Sequence, residues 1–71
     1  MPEMIFVEST NVEAIGYDAN AQALHVRFLK SGLTYVYYNV EQWVFDEFLR
    51  ADSKGIFLNE RIKGTYEYGK L

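Results

Sequence analysis

The sequence predicts an α+β domain: a small antiparallel three-stranded meander, open to extension by its terminal segments, with two helices packed on one face. Three observations predict it. Apolar residues alternate with a period of two through the first half, the period lengthens to about three and a half after Val40, and turn residues separate the candidate strands at short intervals.

Met4–Val7 reads as a short extended segment and Val12–Asp18 as a β-strand, with Ile15 and Tyr17 on one side and Gly16 between them. Asp18-Ala19-Asn20 supplies a turn, because Asp and Asn hydrogen-bond their own backbone and tolerate left-handed φ/ψ. Leu24–Phe28 is the clearest strand: Leu24, Val26 and Phe28 face one way, His25 and Arg27 the other, which predicts His25 on the solvent side. After Lys30-Ser31-Gly32, Leu33–Tyr38 alternates again, with Leu33, Tyr35 and Tyr37 in phase with the core and Tyr38 on the opposite face. Val40, Val44, Phe45, Phe48 and Leu49 then fall on one side of a helix over about Glu41–Ala51. Asp52-Ser53 caps a shorter helix over Lys54–Arg61, with Leu58 and Ile62 one turn apart toward the core. Lys63–Leu71 reads as extended, Tyr66 and Tyr68 alternating with Thr65 and Glu67.

Seventy-one residues make one domain, 1–71. A domain of this size buries only roughly 60% of its unfolded surface. With no Cys and a single His, neither disulfides nor a Cys/His zinc site can staple it. The core must be apolar, and a composition 49% hydrophobic and 17% aromatic supplies it. No cofactor is expected, and no apolar run reaches the ~18–20 residues that span a bilayer, so the expected location is cytoplasmic.

Catalytic constellations are missing. No Gly-x-Ser-x-Gly elbow or His-Glu-x-x-His helix occurs, and Asp46 and Glu47, adjacent on a helix, diverge by about 100°. Asp18-Ala19-Asn20 opens like a calcium loop, but Ala23 and Leu29 stand where its Gly and closing Glu belong. The chain is expected not to be an enzyme and to have no metal site or small-molecule substrate.

Four segments, in order, resemble the KTSC domain, found at the C-terminus of some lysyl-tRNA synthetases and as a free-standing small bacterial protein. They are Ile15-Gly16-Tyr17-Asp18, the central Tyr35-x-Tyr37 after Gly32, Ser53-Lys54-Gly55 with Asn59, and Ile62 with Tyr66-x-Tyr68. Glu41 stands where the family carries Pro and Leu58 where an aromatic is common, both at packing or helix-start positions. The resemblance implies a small α+β fold, and the fusion context implies RNA binding.

Two functions are open. The first is RNA binding. The net charge of −3 opposes it, but residues 51–71 carry four cations against three acids, whereas residues 1–50 carry seven acids against three. Lys54, Arg61 and Lys63 are the expected phosphate contacts, joined by Arg27 and Tyr38 if the open sheet face takes part, and affinity should be weak and salt-dependent. Ser53 and Gly55 read as a helix cap and a close-approach site rather than a phosphate cradle. The second is a protein–protein module anchored on Trp43, which projects from the far side of its helix beside acidic residues. The expected state is a monomer or weak dimer.

Overall fold

Period-two alternation builds one five-stranded antiparallel sheet in the computed structural model, which describes residues 2–71. Its strands are β1 (Ile5–Phe6), β2 (Val12–Asp18), β3 (Ala23–Phe28), β4 (Thr34–Tyr37) and β5 (Tyr68–Lys70). Their order in the sheet is their order in the sequence. Both terminal segments therefore extend the central meander, one at each edge. Asp18 Oδ1 accepts from the backbone N–H groups of Asn20 and Ala21, at 3.1 and 3.3 Å, and closes the β2–β3 turn. Gly32, at φ +70°, reverses the chain between β3 and β4 in a conformation that other residues adopt only under strain.

Helix α1 spans Gln42–Arg50 and buries Val44, Phe45 and Phe48. Helix α2 spans Lys54–Phe57 and runs into a π-helical turn, Leu58–Ile62, in which the Lys63 N–H donates to the Leu58 carbonyl at 2.8 Å. Leu58 and Ile62 point inward from it, as their spacing predicts. These side chains pack on Ile15, Leu24, Val26 and Tyr37, with Val12 and Val40 closing the cluster. Phe48 stacks on Phe57 at 5.0 Å and Tyr17 on Phe45 at 5.3 Å. The Tyr17 hydroxyl donates to the Val40 carbonyl, joining the sheet to the lead-in of α1. Both helices lie on one face.

The other face corrects one expectation. His25 is not on a solvent face: it is only 7% exposed, and Thr34 and Val36 beside it are buried too. The reason is a long-range contact. Gly16 pairs with His25 across β2–β3, and the chain at Glu3 and Met4 lies directly over Gly16. A Cβ there would stand 2.7 Å from the Glu3 carbonyl oxygen and 2.8 Å from the Met4 sulfur. The N-terminal segment is thus a strap that the missing side chain admits. Beneath it, burial pushes the His25 pKa below its ordinary value, and Nδ1 has no partner among the described residues.

No helix of the described residues is long and apolar enough to cross a membrane.

Candidate functional site

Register decides where the aromatics go. β3, β4 and β5 pair Leu24 with Tyr37, Val26 with Tyr35, and Tyr37 with Tyr68. Opposite residues share a face, so Phe28, Tyr35, Tyr37 and Tyr68 all stand on the helix-bearing side. The helices do not cover them equally. Tyr37 is 2% exposed, Tyr35 is half-buried, and Tyr68 is 61% exposed. Tyr35 stacks on Tyr68 at 5.5 Å with the rings 14° apart, while Phe28 meets Tyr35 edge-on at 5.4 Å. Tyr37 tilts against Tyr68 at 5.6 Å. The outcome is a strip of aromatic surface where the helical layer stops short of β5.

One cation is aimed at that strip. Lys63 leaves the end of the π-helical turn, and its Nζ lies 5.6 Å from the centroid of the Phe28 ring. A hollow of about 340 Å³, near the small end of the range for ligand clefts, is bounded by Tyr35, Tyr37, Lys63, Gly64 and Tyr68. A shallower hollow between Phe28, Ser31, Tyr35 and Lys63 adjoins it. Lys63 borders both. Lys70 lies opposite Tyr35 on β5 and adds a second cation at this edge. Burial, then the neighbouring Tyr68 and Tyr35, push the Tyr37 phenol above its ordinary pKa, so it stays neutral at physiological pH.

The other expected contacts lie elsewhere. Lys54 Nζ donates to the Ala51 carbonyl at 2.6 Å, so its charge tethers the C-terminal end of α1. Arg61 donates to Glu47 at 3.1 Å and stacks on Phe57 at 5.1 Å. Arg27 is paired with Glu13 at 3.0 Å and lies over Phe6 at 5.7 Å, on the strap side of the sheet. Tyr38 is 44% exposed, with its ring against Gly69, where a Cβ would meet the hydroxyl at 3.1 Å. The strap lies across that face at Gly16, and neither Arg27 nor Tyr38 borders a hollow with Lys63. Of the five residues, Lys63 alone borders the aromatic groove.

Trp43 is 51% exposed on α1. Ser53 accepts from the Ile56 N–H at 3.2 Å and is a cap, as expected. Gly55 lets the loop before β2 approach, since a Cβ there would come within 3.3 Å of the Asn11 amide nitrogen.

Phe28, Tyr35 and Tyr68 are the groove residues that sequence reasoning placed in the core or passed over. Their signal was present in the alternation of Tyr66 and Tyr68, once β5 is allowed to pair beside the Tyr35-x-Tyr37 strand.

The family model for the KTSC domain matches residues 8–66. A protein of Tsukamurella paurometabola is similar to this chain, 49% identical over 60 residues that cover 84% of this chain and 88% of the relative. The crystal structure of a KTSC domain protein from Yersinia pestis superposes with a TM-score of 0.94 at 32% identity, covering 100% of this chain and 99% of that one. Sequence and fold agree with one another over nearly the whole length, and the chain belongs to the KTSC domain family.

Proposed function

We propose that this protein is a non-catalytic binding module that takes single-stranded RNA along the groove between β5 and the π-helical turn. The observation that carries this reading is the position of Lys63 between Phe28 and the Tyr35–Tyr68 stack. Exposed rings on a sheet take unpaired bases by stacking, at about 1–3 kcal/mol per base, and an adjacent cation takes the phosphate that links them. A double helix hides its base faces and cannot use such a strip. A net charge of −3 leaves no broad positive field, so affinity rests on a few contacts and falls steeply with salt.

The experiment is a titration of the isotope-labelled protein with a transfer-RNA mixture and with a short single-stranded RNA, at low and at physiological salt. Amide shifts should concentrate at Phe28, Tyr35, Lys63, Gly64 and Tyr68. Lys63→Glu and Tyr68→Ala should each weaken binding about tenfold or more, whereas Lys54→Met and Arg27→Met should change it little. No shifts at low salt with either RNA would retire the reading.

A second reading, a protein partner anchored on Trp43, is favoured by the exposure of that indole. Trp43→Ala leaves RNA affinity unchanged if the groove is the RNA site. Loss of RNA binding in that variant, with the fold intact, would move the site to α1.

A further inference from the structure

The groove does not end at Phe28. Phe28, Ser31 and Lys63 also border a hollow of about 280 Å³ that opens toward Thr10, Asn11 and Asn59. Those last three residues in turn border a polar cleft of about 330 Å³ between the loop before β2 and the start of α2. Neighbouring hollows share lining residues, so a row of adjoining hollows runs from Tyr68 to the neighbourhood of Ser53, with Lys63 beside three of them.

Its chemistry changes along its length. Lys30 and Lys63 stand on the part nearest the aromatic strip, and the far end carries Glu8 and Asp52 against one cation, Lys54, whose ammonium is tied to the Ala51 carbonyl. A phosphate is attracted to the first part and repelled from the second. What the far end offers besides is the amides of Asn11 and Asn59 and the hydroxyls of Ser9, Thr10 and Ser53. The Asn11 side-chain Oδ1 accepts from the Thr10 hydroxyl at 3.1 Å, which leaves the Asn11 side-chain amino group as a donor. Gly55 lets that group sit close to the start of α2, since a Cβ there would come within 3.3 Å of it. Asn59 is exposed and borders both the cleft and the hollow next to it. A carboxamide carries a donor and an acceptor side by side, the arrangement that matches the edge of an unpaired base and mismatches an all-acceptor phosphate. With two carboxylates nearby, the cleft is richest in acceptors and suits a base that bears an exocyclic amino group.

We propose that this polar end is a base-reading subsite in which Asn11 and Asn59 hydrogen-bond the edge of an amino-bearing base. Lys63 holds the phosphate between that base and the one stacked at Tyr35 and Tyr68. The subsite rests on the single-stranded RNA reading above and adds sequence preference to it. Cytosine is favoured over uracil. The two are pyrimidines of similar size, and they differ where one presents an amino donor and the other an oxygen.

The test is fluorescence anisotropy with fluorescein-labelled hexacytidylate and hexauridylate at low salt. Wild-type protein should bind the cytosine oligomer about tenfold tighter. Asn59→Ala, at an exposed position that spares the core, should bring the cytosine oligomer down to the level of the uracil oligomer and leave the latter unchanged. Asn11→Ala should do the same, and Tyr68→Ala should weaken both oligomers together. Equal wild-type affinity for the two oligomers, or an Asn59→Ala variant that keeps the preference or weakens both alike, would overturn the subsite while leaving the groove as the RNA site. Absence of wild-type binding to either oligomer would overturn the RNA reading and the subsite with it.

Discussion

The two faces of the sheet are covered by different means. On one, side chains of α1, α2 and the π-helical turn interlock with Ile15, Leu24 and Val26. On the other, the chain at Glu3 and Met4 lies against Gly16, where no side chain stands. The first cover depends on volume being present, and the second on volume being absent. A layer of helices can also stop partway across a sheet, and here it leaves Tyr68 open while sealing Tyr37. The strap leaves no comparable strip over His25. The aromatic groove thus lies on the thicker side of the molecule, where the helical layer ends short of Tyr68.

The largest expected effect tests the interlocked face. Phe48 is fully buried and stacked on Phe57, so Phe48→Ala should cost about 3–5 kcal/mol in a urea titration. That is a large part of the stability of any small domain. Next is the strap. Gly16→Ala should cost about 1–3 kcal/mol by overpacking, and NMR shifts should move at Glu3–Phe6 while the α1 signals hold. Unchanged stability in that variant would mean the strap yields without loss, and the contrast between the faces would fail.

The pH dependence sharpens the same contrast. The folded-state pKa of His25 lies below its ordinary value of 6.5, chiefly through burial. As pH falls through 6.5 the unfolded chain takes up the proton first, so stability is full above that pH and declines below it until the folded-state group itself titrates. Melting temperature should follow that course, and His25→Gln should flatten it. Gly16→Ala, by loosening the strap, should raise the His25 pKa toward 6.5 in an NMR titration. Smaller effects belong to the surface. Lys54→Met removes the donor to the Ala51 carbonyl and should cost about 1 kcal/mol. Tyr68→Ala should cost less than about 1 kcal/mol, since the ring is mostly exposed and only its stacking is lost.

What could be read from the sequence was what local periodicity controls. Leu24, Val26 and Phe28 announced a half-buried strand, and Val44, Phe45 and Phe48 announced the buried stripe of α1. The Asp18 turn and the Ser53 cap came from side chains that hydrogen-bond within three residues of themselves. What escaped depends on contacts distant in sequence. Alternation alone puts His25 in solvent, because nothing near it says that Glu3 lies across Gly16. Tyr35 and Tyr37 have the same phase, yet only the reach of the helices separates a sealed ring from a half-open one. Leu58 and Ile62 sit four apart, as an ordinary helix would place them, so the wider turn that aims Lys63 over Phe28 leaves no trace in the spacing. Lys54 looked like a free cation because the carbonyl it satisfies belongs to the preceding helix.

The strand order has a consequence for how the chain reaches its final state. Each of β1 to β4 pairs with its neighbour in sequence across a short connection, while the pairing of β4 with β5 alone spans both helices. Closing a long loop costs more entropy than closing a short one, and topologies dominated by local pairing form fast. The expected order is that the hairpins close early and β5 zips on last, after the helical layer has settled. Hydrogen exchange under native conditions should find the amides of Tyr68–Lys70 opening at lower free energy than those at the β2–β3 ladder. Tyr68, one wall of the groove, rides on that pairing, so the same exchange measurement reports how firmly the aromatic groove is held together.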